Sequence, residues 1–293
     1  MNSILIAGAT GFTGRYVVQE FAQCGQYRIA AFVRDPARLC AQSRAAIQTV
    51  HTGTFDRIDT LRHALEGYDT FICCASLGFG HGPSIVRACE RAGVRRAIFI
   101  STTAIFTRLN PSTKTIRIQA EESIRNSSLR YTILRPTMIY GAPGDRNMER
   151  LIAYVNRFPI LPVPGPGTFL IQPVYVGDVA RAVRLAAQSA NAVNASYTVS
   201  GRDALAYNDL VRLIGRLLGK RIGLLHIPLG IMTVAFSIYE RLSPRPRLKA
   251  EQLHRLNEDK QFGYDDAARD FGYEPRGLEQ TLSDQIASLR ASR

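Results

Sequence analysis

The 293-residue sequence has no tryptophan, four methionines and five histidines, and its five cysteines (Cys24, Cys40, Cys73, Cys74, Cys89) all fall in the first third. The number of cysteines is odd, and no pair has metal-ligand or redox spacing. This speaks against a disulfide framework and a cysteine-built metal centre, and points to reduced thiols in a cytoplasmic protein with no metal site. Internal repeats and low-complexity linkers are absent too. Met1 to Ala7 is short and runs straight into a glycine loop, so it reads as a first strand and not as a targeting signal. Acidic residues are the minority, 24 against 37 basic ones, for a net charge of +13. That excess attracts anionic species such as a phosphorylated cofactor, a sugar nucleotide or an anionic lipid. The basic residues are scattered and no nucleic-acid motif accompanies them, so nucleic acid is not an expected partner.

One uncharged stretch, 222–239, lies between Arg221 and Glu240. Gly223, His226, Pro228 and Gly230 interrupt it, which argues against a membrane span. Two readings stay open for Leu224 to Leu242. One is a core helix beneath a substrate lobe. The other is a helix at the inner face of a membrane, because Arg245, Arg247 and Lys249 follow Pro244 and suit an anionic bilayer.

What is present is an alternation of short apolar runs with helical segments. Strands are expected at Ser3–Ala7, Arg28–Val33, Ala46–Thr52, Thr70–Ala75, Ala97–Ser101 and Tyr131–Pro136. Helices are expected at Gly14–Cys24, Pro36–Gln42, Ile58–Leu65, Pro83–Ala92 and Lys114–Asn126. This is the pattern of βαβ units in a parallel sheet. Past Gly141 a loop with four prolines and two glycines (Pro159 to Gly167) leads into a strand at Gln172–Val176 and a helix capped by Asp178. A strand at Ser196–Ser200 follows, then helices at Tyr207–Leu218, near Lys249–Asn257 and near Leu278–Arg290. The expected fold is α/β: a Rossmann-type doubly wound parallel sheet in residues 1–141, with a smaller C-terminal substrate lobe in 142–293, together one compact unit.

Gly8-Ala9-Thr10-Gly11-Phe12-Thr13-Gly14 stands between the first strand and the first helix. Gly8 permits the tight turn, Gly11 lets backbone approach a pyrophosphate, and Gly14 lets helix and strand pack closely. The second strand ends at Arg34. A carboxylate there suits the ribose hydroxyls of NAD, whereas a guanidinium suits the 2′-phosphate of NADP, with Arg15 able to help. NADP is therefore the expected cofactor, ahead of NAD. Asp35 should point to the other side of its strand.

Together with the run Tyr131-Thr132-Ile133-Leu134-Arg135-Pro136-Thr137-Met138-Ile139-Tyr140-Gly141, these features resemble the atypical and extended short-chain dehydrogenase/reductases, including NAD(P)-dependent epimerase/dehydratases, NmrA-like proteins and complex I subunit-like proteins. Gly93-Val94-Arg95-Arg96 and Gln172-Pro173-Val174-Tyr175-Val176-Gly177-Asp178-Val179-Ala180 carry the same resemblance. It implies a small-molecule substrate, possible classes being phosphorylated or lipid-linked sugars. It also implies cofactor contacts from the glycine loop, Ala75, Ser101, Arg117, Pro136 and Ile139. At the adenine pocket the family's Gly-Asp is Gly53-Thr54 here, which leaves Thr54 a weaker contact.

The resemblance breaks at catalysis. The family uses a Ser/Thr after strand five and a Tyr-x-x-x-Lys pair on the next helix. Thr103 takes the first position, but Thr113 and Arg117 stand at the other two. An aliphatic hydroxyl is a far weaker acid than a phenol, and Arg117 stays protonated, although it can still hold a ribose. Substitute acid–base groups are His81, in Gly78-Phe79-Gly80-His81-Gly82, and Lys114. For each, a structural or solvated role is the alternative. Tyr140 is expected to pack the pocket wall. Asp145, Arg146 and Asn147 either meet a polar substrate group or cap a helix.

Overall fold

The computed structural model describes residues 2–109, 111–141, 144–242 and 258–291. The chain divides into two compact units, each assembled from separated segments. The first comprises Met1–Ile139, Val176–Ser200 and Gly263–Pro275, and the second Tyr140–Tyr175, Gly201–Phe262 and Arg276–Arg293.

The first unit alternates β1 (Asn2–Ala7), α1 (Phe12–Cys24), β2 (Tyr27–Val33), α2 (Ala41–Ala46), β3 (Thr49–Thr52), α3 (Ile58–Leu65), β4 (Thr70–Cys73), α4 (Gly82–Arg91), β5 (Arg96–Ile100), α5 (Ser112–Arg125) and β6 (Tyr131–Pro136). The chain continues through β7 (Ile139–Tyr140), α6 (Met148–Arg157), β8 (Ile160–Pro164), β9 (Leu170–Ile171), β10 (Val174–Tyr175), α7 (Val176–Gln188) and β11 (Ala195–Val199). After these come β12 (Leu205–Ala206), α8 (Tyr207–Leu217), β13 (Gly223–Ile227), α9 (Leu229–Leu242) and helices at Asp265–Phe271 and Leu278–Ala291.

Seven strands form one sheet in the order β11-β6-β5-β4-β1-β2-β3. Every neighbouring pair in it is parallel. Helices cover both faces, so the inner strands are near-continuous apolar runs; Ile4, Leu5, Ile6 and Ala7 are all at 0% exposure. On one face Leu61, Leu65, Ile85, Cys89, Ala120 and Ile124 from α3, α4 and α5 close over Leu5, Phe71, Phe99 and Ile133. Gly82 lets α4 approach α5, because a Cβ there would sit 2.5 Å from the Ala120 Cβ. α1 and α7 lie together on the other face, tied by the Arg184–Glu20 ion pair at 2.7 Å. The chain reverses direction between β1 and β4, the switch point where doubly wound sheets open a crevice at their carboxyl edge. The expected Rossmann-type sheet is thus present, with β11 as its added seventh strand.

Four local expectations need correction. The helix read at Pro36–Gln42 is a 3-10 turn at Pro36–Arg38, which Asp35 caps through the Ala37 N–H; α2 follows later and β3 starts at Thr49, not Ala46. The strand expected at Gln172–Val176 shrinks to β10 (Val174–Tyr175): Pro173 has no N–H for a ladder, and Val176 already begins α7. Asp178 is not an N-cap: α7 grows directly from Tyr175 and puts Asp178, 2% exposed, inside its first turn. The proline-rich loop contains β8, which pairs in parallel with β13, so the apolar stretch begins as a strand and turns helical only after Pro228. Pro162 and Pro164 are tolerated because β8 has a partner on one side only. The helix expected near Lys249–Asn257, and the basic cluster Arg245, Arg247 and Lys249, lie outside the described residues.

Candidate functional site at the carboxyl edge of the sheet

The loop from β1 to α1 is a backbone construction. Gly8 has φ +83°, and a Cβ there would lie 2.9 Å from the Ala75 backbone nitrogen. Gly11 N–H donates to the Gly8 carbonyl at 2.9 Å, closing the turn. Gly14 is packed onto that same carbonyl; a Cβ would reach within 2.1 Å of it. α1 starts at Phe12, two residues earlier than expected, and its cap, Gly11, offers no side chain to the first-turn N–H groups. Unsatisfied donors and the positive helix end therefore converge where three glycines keep side chains away, which fits a pyrophosphate. Thr10, Phe12, Thr13 and Arg15 border the loop half-buried. The Arg15 guanidinium lies over the rings of Phe12 and Tyr16, 5.5 and 5.4 Å from their centroids.

Arg34 is exposed just past β2. Asp35 Oδ1 accepts from the Ala37 N–H at 3.0 Å, so that carboxylate is occupied as a cap. Thr54 follows β3, its carbonyl accepting from Thr60 Oγ1 at 3.4 Å. Next to it Phe55 bridges two rings, Phe32 at 5.7 Å and His81 at 5.8 Å. His81 is half-buried at the start of α4. Ala75 borders the Gly8 turn.

Beyond β5 the residues sort into two groups. Thr103 Oγ1 donates to the Pro136 carbonyl at 3.3 Å, joining the ends of β5 and β6. Arg117 Nη1 donates to Thr113 Oγ1 at 3.0 Å, one turn apart on α5, and the guanidinium crosses Gly78, whose missing Cβ would lie 3.1 Å from it. Lys114 Nζ donates to the Thr107 carbonyl at 2.6 Å, pinning the loop ahead of α5. Ser101 is engaged elsewhere: its hydroxyl donates to Glu121 Oε1 at 2.6 Å.

Glu121 was not singled out from the sequence. Its residue is at 0% exposure, and its carboxylate meets Arg135 Nη2 at 2.6 Å and Arg125 Nη2 at 2.5 Å. Arg135 in turn covers the Phe106 ring at 5.4 Å. The cluster fixes α5 to β5 and β6, and with it the register of Thr113 and Arg117. Arg135 next to the end of the largely apolar β6 is the available signal, since a half-buried cation there calls for a carboxylate. Thr137 lies in the run from Pro136 to Tyr140 that the resemblance places near the nicotinamide. It is 7% exposed at the end of β6, and its Oγ1 has no hydrogen-bond partner among the described residues. Buried hydroxyls are seldom left unpaired, so this one suits a ligand atom.

Pro136 is buried and Ile139 half-buried after β6. Tyr140 belongs to the second unit, where its hydroxyl shares a 2.5 Å hydrogen bond with Thr281 Oγ1 at 1% residue exposure. It is a packing phenol, as expected. Asp145 proves to be a cap: Oδ1 accepts from the N–H groups of Asn147 and Met148, and Oδ2 from Gln285. Two of the thiols, Cys73 and Cys89, are buried. Burial pushes Cys73 up to about 12 and Cys89 well above the usual thiol range.

A family model described as NAD(P)H-binding matches residues 8–152, and that of the NAD dependent epimerase/dehydratase family matches 111–200. The chain belongs to the short-chain dehydrogenase/reductase superfamily, as an atypical member. It binds a nicotinamide dinucleotide. A curated relative is subunit 9 of the NADH dehydrogenase [ubiquinone] 1 alpha subcomplex of Arabidopsis thaliana, 25% identical over 71% of this chain and 56% of the relative. This chain thus spans little more than half of that relative. Another is the ceramide reductase of Caulobacter vibrioides, 28% identical over 78% of this chain and 75% of the relative. Among solved structures, the UDP-glucose 4-epimerase of Thermotoga maritima matches with a TM-score of 0.76 at 17% identity, over 99% of each chain. At that identity the match speaks for the fold.

Proposed function

We propose that this superfamily member is an NADP-dependent reductase or epimerase of the atypical short-chain type, acting on a small molecule such as a sugar nucleotide or lipid-linked sugar. The carrying observation is the side-chain-free cradle of Gly8, Gly11 and Gly14 at the sheet's switch point, with Arg34 rather than a carboxylate ending β2. Thr10, Phe12, Thr13 and Gly14 offer backbone N–H groups to the pyrophosphate. Arg34 and Arg15 receive the 2′-phosphate, Thr54 borders the adenine, and Ala75 and Ser101 flank the cofactor. Arg117 holds the nicotinamide ribose, with Pro136, Thr137 and Ile139 beside the ring. When bound, the nicotinamide supplies or accepts a hydride.

Proton transfer falls to His81. Thr113 lacks the acidity, and Lys114 is spent as a donor to the Thr107 carbonyl. An imidazole can both donate and accept a proton, and Phe55 packs against the His81 ring at 5.8 Å. Thr103 positions the ends of β5 and β6. The cytoplasmic setting rests on the five free cysteines.

The test is NADPH oxidation against a panel of sugar nucleotides and carbonyl compounds, with pH profiles of the wild type and His81→Ala. Substrate-dependent oxidation is expected, with kcat lowered about 10²-fold or more in the variant. An unchanged profile from pH ~5 to 9 removes His81 from the chemistry. A second reading, a cofactor-binding subunit without turnover, is favoured by the Thr113–Arg117 pair and by similarity to the complex I subunit. Tight NADPH binding without oxidation of any panel compound would favour it.

A further inference from the structure

The second unit exposes apolar side chains of β8, β13 and α9. β8 and β13 are paired so that Ile160 faces Gly223 and Pro162 faces Leu225. Residues two apart along a strand share a face, so these four lie on one side of the ribbon. Ile160 is 54% exposed and Leu225 55%, whereas Leu161 and Val163, on the other side, are buried. Phe158, just ahead of β8, is exposed as well. α9 continues the chain after Pro228 and repeats the inversion. Ile231 and Val234 are 62% and 60% exposed, and Ala235 joins them. Spacings of three and four residues put these on one stripe of the helix, where a water-facing helix carries polar residues.

The charge pattern identifies what covers this surface. Residues 158–164 and 222–239, which carry these side chains, hold no formal charge; Arg157 stands just before the first stretch and Lys220 and Arg221 just before the second, with Glu240 after it. Parallel strands start at the same end, so Arg157 before β8 and Lys220 and Arg221 before β13 gather at one end of the ribbon. The Lys220 ammonium donates to the Asn156 carbonyl there. Arg157 covers the Phe158 ring at 5.5 Å. Among the described residues, Arg157, Arg216 and Arg221 have no ion-pair partner. A second copy of the same face would set arginine against arginine. An anionic bilayer offers apolar depth and phosphates at once. No described helix is long and apolar enough to cross a membrane.

We propose that this face docks on an anionic lipid surface, with Ile231, Val234 and Leu225 entering the acyl boundary and Arg157 and Arg221 meeting the headgroups. Flotation of the full chain tests it, with vesicles of phosphatidylcholine and phosphatidylglycerol at about two to one against phosphatidylcholine alone. The expected result is co-flotation with the anionic vesicles, at least about tenfold weaker with the neutral ones and in high salt. The double variant Ile231→Glu, Val234→Glu should fall to the neutral-vesicle level with an unchanged melting temperature, because both side chains are exposed. Wild-type protein left in the soluble fraction overturns the proposal, as does flotation that the double variant does not reduce. So does a dimer, seen by light scattering, that the same two substitutions dissociate while lipid binding is absent.

Discussion

The seven-stranded sheet and the β8–β13 ribbon are both parallel, yet they pair under opposite conditions. β5 is buried along its whole length, and helices on both faces supply the cover. The ribbon buries Leu161 and Val163 but leaves Ile160, Pro162, Gly223 and Leu225 exposed, and it has two prolines in β8. In the sheet, parallel pairing is sustained by apolar area removed from water on both sides. In the ribbon the backbone pairing stands with only half of that support. The free energy of the fold is therefore concentrated in the sheet, while the ribbon's outer side chains are available for contacts outside the chain.

The largest effect that sharpens this contrast belongs to Glu121. Glu121→Ala strands Arg135 in a site where it is 13% exposed, and a broken buried pair costs about 3–5 kcal/mol. Urea denaturation should show that loss, with Glu121→Gln milder. A loss below about 1 kcal/mol would mean that water, not the carboxylate, solvates the cluster. Next comes a matched pair of isoleucines. Ile98→Ala in β5, at 0% exposure, should cost about 2–5 kcal/mol. Ile160→Ala in the ribbon should stay within about 0.5 kcal/mol. Equal losses would erase the distinction between the two regions.

The same contrast explains what the sequence discloses. Runs such as Ile4–Ala7 and Ala97–Ile100 are readable as strands because double burial leaves only apolar residues in them. The phosphate loop is readable because its function is carried by the absence of side chains, and glycine positions are visible in any sequence. The ribbon was hidden because prolines signal a loop unless the strand is known to lack a neighbour on one side. Asp178 looked like a cap because nothing in the sequence says that β10 runs into a helix without a turn. Beside Arg125, one turn on along the same helix, the partners of Glu121 are Ser101, 20 residues before it, and Arg135, 14 after it. Such a cluster exists only once β5, α5 and β6 are placed side by side.

The central claim is a nicotinamide dinucleotide held at the β1–α1 loop with Arg34 reading the 2′-phosphate. Its most direct measurement is parallel fluorescence titration with NADPH and NADH of the wild type and of Arg34→Ala. NADPH should bind the wild type more tightly than NADH. The substitution should weaken NADPH by about 10- to 100-fold, the worth of a charge-assisted contact, and leave NADH nearly unchanged. Equal binding of the two cofactors to the wild type, or equal losses for both in the variant, would contradict the account.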